Sequence, residues 1–177
     1  WVLCIVLSLI HPPQIGVEVP DGDKIGHFLA YALLSAWSVL IFETLAERTL
    51  ALAQLARRSD PEAGYEPLLD ELLRPVLDLC LQHGVRIVSN FGAANPAGAA
   101  RAIAALASEL GLRTPRIAVV KGDDLSAASQ RPLLASAIGN EVHALKIVSA
   151  NAYLGAEAIA DALLAGAEIV VCGRVAD

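Results

Sequence analysis

The chain has 177 residues and a net charge of −6, with 13 scattered lysines and arginines. That excludes the concentrated cationic face that binding a phosphate backbone needs, so no nucleic-acid partner is expected. Apolar residues make up 55% and mean hydropathy is +0.55, above the range of an ordinary soluble domain; the excess comes from an oily N-terminal part and an alanine-rich C-terminal part.

Residues 1–10, WVLCIVLSLI, are apolar. They supply about half of the roughly 20 residues a spanning helix requires, and read as the surviving end of a truncated span. The chain has no methionine and opens on Trp1, so it is expected to be a piece of a longer reading frame. HPPQIGVEVPDGDK, residues 11–24, carries prolines, glycines and charges that neither helix nor lipid accepts, and reads as a loop. Residues 25–42 are apolar apart from His27 and small or hydroxyl residues, the minimum for a tilted membrane span. Asp23 is placed to cap that helix, and Tyr31 and Trp37 fall at interface positions. DGDKIGHFLAYALLSAW, residues 21–37, resembles the VanZ-like membrane proteins, in which an Asp-Lys-x-x-His-Phe segment opens a transmembrane helix and whose named member is associated with teicoplanin resistance. The resemblance covers residues 1–38 and implies dependence on Asp23, Lys24 and His27.

Past Glu43 the pattern becomes helical, with Leu45, Thr49, Leu52 and Leu55 on one stripe and Glu47, Arg48, Arg57 and Arg58 elsewhere, ending before SDPEAGYEP. Leucine spacing predicts a second helix over 68–83, stopped by Gly84. Residues 85–88 read as a buried parallel strand. IVSN at 87–90 leads through FGAANP into an alanine-rich helix over 97–110, and RIAVV at 116–120 supplies the next strand, completing a βαβ unit. KGDD leaves that strand and a less regular stretch follows. LKIVSANAYLG at 145–155 then repeats the theme of strand, serine, asparagine and helix. A helix over 156–165 ends at Gly166, and EIVVCGRVAD adds a last strand.

The fold class is therefore α/β, an incomplete parallel sheet with flanking helices, preceded by one or two hydrophobic, transmembrane-like helices. Open parallel sheets bind ligands outside the carboxyl ends of their strands, where helix N-termini converge. That edge would collect Ser89, Asn90, Asn95, Lys121, Asp123, Asp124, Ser149, Asn151, Tyr153, Arg174 and Asp177. Any one of the asparagines or serines is equally explained by capping a helix or shaping a turn; the set reads as one polar rim. If the domain is catalytic, Glu43, Glu47 and Asp123 are its acid/base groups. Ser89, Asn90, Asn95, Lys121, Asp124, Asn151, Tyr153 and Arg174 are the substrate-binding set, the cations and amides serving an anionic or carbonyl oxygen. No dinucleotide or Walker glycine pattern and no nucleophile elbow is present. Cys4, Cys80 and Cys172, and His11, His27, His83 and His143, lack paired or ligand spacing, so neither metal nor cofactor is expected.

IFETLAERTLALAQLARRSDP, GVRIVSNFGAANPAGAARAIAALASELGL and VSANAYLGAEAIADALLAGAEIVVCGRVAD, in that order, resemble the N-terminal region of the acyclic terpene utilization (AtuA-like) family over residues 39–177. Members are associated with breakdown of acyclic isoprenoids such as citronellol and geraniol through acyl-CoA intermediates. The resemblance implies a ligand that is an isoprenoid acyl-CoA or a related carboxylated terpenoid, and fixes no reaction. It also implies an opening strand and glycine-rich loop, and a continuation past Gly-Arg-Val-Ala-Asp, that this sequence lacks. The expected organisation is a VanZ-like transmembrane fragment over 1–38 joined to a partial AtuA-like α/β domain over 39–177, by accidental fusion or misassembly. Residues 39–42, VLIF, then have two possible identities: the end of a membrane helix or a buried strand. The expected partners are the small-molecule ligand and a membrane contacted through residues 25–42. Arg48, Arg57 and Arg58 after the span, against Lys24 before it, place the α/β part in the cytoplasm. Two rival readings are a VanZ-like membrane protein with a passenger C-terminal part, and a non-catalytic scaffold.

Overall fold

In the computed structural model, which describes residues 39–176, four short strands run parallel: β1 (Val39–Phe42), β2 (Arg86–Ser89), β3 (Ile117–Val119) and β4 (Ile169–Val171). They lie in the order β1-β2-β4-β3. Register sets Leu40, Ile87, Ile169 and Ile117 abreast on one face and Ile41, Val88, Val170 and Ala118 on the other, because successive strand side chains alternate. Central β4 is buried on both faces, which is why IVV reads as an unbroken apolar run.

Among the described residues six helices surround the sheet: α1 (Glu47–Ser59), α2 (Leu69–Leu73), α3 (Leu77–His83), α4 (Pro96–Glu109), α5 (Arg131–Ile138) and α6 (Glu157–Leu164). Leu69, Leu73, Leu77, Cys80, Ile103 and Leu106 from α2 to α4 close over the first face, with Phe91 at their centre. Fully burying each aliphatic or aromatic side chain here is worth roughly 1.5–3 kcal/mol over leaving it exposed. Ile159, Ala162 and Leu163 of α6 cover Val88, Val170 and Ala118 on the second face. The faces follow from chirality: α4 carries the chain from β2 past the place of β4 to β3, and α6 brings it back. A right-handed crossover that reverses direction must return over the opposite face.

Several expectations are corrected. Residues 39–42 are strand, paired with β2 along their whole length, so a membrane helix does not run to Phe42. The rest of the expected span, with Asp23, Lys24 and His27, lies outside the described residues. Among the described residues no helix is long and apolar enough to cross a membrane. The helix expected over 68–83 is two, α2 and α3, divided at Pro75, whose ring removes a backbone donor and crowds the preceding turn. Gly84 does end α3, at φ 68°. The stretch after Asp124 is more regular than expected and contains α5.

The KIVS segment at 146–149 is not a strand. Both sides of β4 are taken by β2 and β3, so the segment has no central ladder to enter. The carbonyls of Ile147 and Val148 instead accept from the Arg58 guanidinium at 3.0 and 2.7 Å.

Candidate carboxyl-edge site

Each strand leaves the sheet at the same edge and delivers polar residues there. The Asn90 side chain, 9% exposed, donates to the Glu43 carboxylate and accepts from the Thr44 backbone N–H at 2.9 Å, so the end of β2 holds the exit of β1. Glu43 itself is exposed. Beneath them the Cys172 thiol donates to the Ser89 carbonyl at 3.3 Å. Burial first, then the Asp123 and Glu43 carboxylates, push that thiol up to about 11, which keeps it protonated and unreactive at neutral pH.

Asp123, at the end of β3, is 3% exposed and accepts from the Asn151 amide at 2.9 Å and the Arg174 backbone N–H at 2.8 Å. Gly173 makes this possible: a Cβ there would stand 2.8 Å from the carboxyl carbon of Asp123. An antiparallel bridge between Asp124 and Asn151 fastens the same two segments. Asp124 also accepts from the Ser126 hydroxyl at 2.5 Å and lies 3.8 Å from Arg57. Burial is the largest single influence on Asp124 and raises its pKa; the Ser126 and Gln54 hydrogen bonds and the Arg57 charge together outweigh it, so its net shift is downward.

Arg174 stacks its guanidinium 4.4 Å over the Tyr153 ring and donates to the Tyr153 hydroxyl at 2.6 Å, to Glu47 at 2.8 Å and to the Leu45 carbonyl at 2.8 Å. The Tyr153 hydroxyl donates in turn to Glu47 at 2.8 Å. Glu47 is held below the usual carboxylate range, by a hydrogen bond from its own backbone first and then by Tyr153 and Arg174.

Two hollows flank this edge. Segments leaving β2 and β3 enclose a pocket of about 160 Å³ whose rim includes Arg57, Ala97, Lys121 and Asp124. A larger and mainly apolar groove of about 450 Å³ lies between α1 and residues 63–67, walled by Leu45, Leu52, Ala53, Ala56, Tyr65 and Ala93. Ala93 lines both. It is the one non-glycine residue at positive φ, 41°, among those described, and sparsely populated backbone states of this kind collect at functional sites.

The edge thus brings together Glu43, Asn90, Asp123 and Asn151, with Glu47, Tyr153 and Arg174 as a second cluster, and Lys121 and Asp124 at the smaller pocket. Asn95 does a different job. Its carbonyl oxygen caps α4 by accepting from the Gly98 N–H at 3.0 Å, and its amide donates to the carbonyls of Pro61 and Ala63 at 3.0 and 2.9 Å. Ser89 lies under the edge at 1% exposure, its hydroxyl without a hydrogen-bond partner among the described residues. Ser149 sits in the irregular segment before Asn151, and Asp177 lies outside the described residues. Thr44 and Arg57 belong to the edge without having been expected there. Arg57 follows the surface pattern of an amphipathic helix, and nothing in that pattern marks its bond to the Ala94 carbonyl.

A family model described as "Acyclic terpene utilisation family protein AtuA" matches residues 21–177. Residues 21–38 of that match also carry the VanZ-like resemblance, which no comparison supports. Neither a curated protein nor a solved structure matches the chain.

Proposed function

The chain belongs to the acyclic terpene utilisation family, AtuA, and from that premise we propose that its carboxyl edge binds an acyclic isoprenoid carried as an acyl-CoA or as a free carboxylate. The branched hydrocarbon chain occupies the apolar groove along α1, and the carbonyl end passes Ala93 toward Arg57 and Lys121. One observation carries this reading: an apolar groove shares a wall with a smaller polar pocket, lined by Arg57 and Lys121 beside Asp123 and Asp124, at the edge where parallel sheets bind ligands. Each methylene buried in the groove contributes about 0.8 kcal/mol, so a ten-carbon chain offsets a substantial part of the cost of association. Guanidinium and ammonium groups at the far end favour a carboxylate or a polarised thioester oxygen.

Among the three carboxylates, Glu43 is placed to exchange a proton with a ligand. It is exposed at the end of β1 and oriented by Asn90. Asp123 and Glu47 are engaged in holding loops together, which makes them positioning residues.

Isothermal titration with geranyl-CoA, citronellyl-CoA and CoA alone tests the reading. Saturable binding of the isoprenoid thioesters is expected, at least about ten-fold tighter than CoA, a difference of about 1.4 kcal/mol. Ala56→Trp fills the groove from an exposed position and should remove that preference while the circular dichroism spectrum stays unchanged. Equal affinity for CoA and its isoprenoid esters, or an Ala56→Trp variant that binds normally, would refute it.

A further inference from the structure

The amino edge of the sheet, opposite the candidate site, holds a second polar cluster. Arg86 opens β2, Glu168 immediately precedes β4 and Arg116 immediately precedes β3. Because Ile87, Ile169 and Ile117 are in register, these three residues also stand abreast, one position earlier. Neighbouring strands are about 4.8 Å apart, so the two arginines flank the glutamate with their backbones about 10 Å from one another. Both line a pocket of about 170 Å³, together with Gly84, Gly166 and Cys80. Gly166 lies beside the Arg116 guanidinium at φ 91°, a backbone conformation that favours glycine.

The charges in this cluster do not balance. Arg113 takes the Glu168 carboxylate with two prongs, at 2.9 and 2.5 Å, and the same carboxylate accepts from the Arg116 backbone N–H at 2.9 Å and lies 3.7 Å from the Arg116 side chain. One carboxylate therefore serves two guanidiniums with its oxygens already engaged, and Arg86 adds a third cation to the lining of the same pocket. Arg86 makes no hydrogen bond or ion pair among the described residues. An excess of positive charge around a small hollow is unusual for a chain of net charge −6.

We propose that this amino-edge pocket binds a compact dianion of the phosphate class between Arg86 and Arg116. Two forked guanidiniums match the oxygens of a phosphoryl group, and a dianion neutralises the surplus that a monocarboxylate would leave. The pocket holds one such group and offers no extended track for a polyanion. The site is independent of the isoprenoid reading, since it lies at the other end of the strands and shares no residue with the groove or the smaller pocket.

Isothermal titration of the chain with inorganic phosphate and with pyrophosphate, at low and at physiological salt, tests it. Saturable binding that weakens with salt is expected. Arg86→Gln and Arg116→Gln should each weaken it by at least about ten-fold. Arg86→Gln breaks no bond among the described residues, so its thermal melt should match the parent and the variant stays informative even if Arg116→Gln destabilises. Lys121→Gln, at the carboxyl edge, should bind as the parent does. The proposal is overturned if neither anion gives a saturable heat with folded protein, if both arginine variants bind normally, or if Lys121→Gln alone abolishes binding, which would place the anion at the opposite edge.

Discussion

Asn90, Asn95 and Asn151 are the same residue in similar company, and they do three different things. Asn90 orients Glu43, Asn151 holds the buried Asp123, and Asn95 is a structural staple whose amide and carbonyl are both committed to backbone. Replacing Asn95 by Ala removes a helix cap, about 1 kcal/mol, and strands the carbonyls of Pro61 and Ala63 beside a buried site at a further cost of about 1–2 kcal/mol. Urea denaturation of Asn95→Ala should therefore show a loss of about 2–3 kcal/mol; a loss below about 1 kcal/mol would mean that residues 61–63 are held by something else. That a capping residue follows β2 was legible in the sequence. Which polar atoms remain for a ligand was not, because that depends on a loop more than thirty positions away that folds back on the cap.

At the scale of elements, the turn from β2 into α4 is the tightest part of the edge. Residues 87–95 are buried without a break, and the Gly92 N–H donates to the Cys172 carbonyl at 3.0 Å. A Cβ on Gly92 would stand 2.5 Å from that carbonyl oxygen and 2.8 Å from Pro96 Cα, both backbone atoms that cannot swing away. Gly92→Ala should accordingly lose about 1–3 kcal/mol in a denaturant titration, and an unaffected variant would show that the turn can move off β4. The helices α1, α4 and α6 and the strands β2, β3 and β4 were readable from periodicity and glycine stops, to within a residue or two at their ends. Two errors have different causes. Leucine spacing carried a helix across Pro75, whose missing donor breaks it locally, whereas β-branched residues made a strand of 146–149 because local pattern cannot count the hydrogen-bonding places available in a sheet.

Across the whole molecule, acid should be more disruptive than base. Glu168 is held at about 2, against an ordinary value of 4.5, by the two-pronged bond from Arg113 first and then by the Arg116 backbone N–H and the charges of both arginines; burial opposes them. A carboxylate whose folded value is depressed stabilises the protein fully above its unfolded value and stops doing so as pH falls through the folded one. Its contribution should fade between pH about 4.5 and about 2. At pH 7 Glu168→Gln should cost up to about 1 kcal/mol, since Arg113 is mostly exposed and solvent screens the pair. Urea titrations of parent and variant should converge as pH approaches 2; a difference that persists in acid would assign the loss to packing rather than charge.

By itself the sequence determined that this is an α/β chain with parallel strands, that polar residues leave the strands at one edge, and which family it resembles. Those properties live in short windows of hydrophobic spacing, glycine stops and contiguous motifs. Only the tertiary structure decided that VLIF at 39–42 is a strand paired with β2, that β4 inserts between β2 and β3, and that Arg86, Arg116 and Glu168 stand together. The reason is physical: a run of apolar β-branched residues is stable wherever its backbone finds partners and its side chains find cover, and both are supplied by segments distant in sequence.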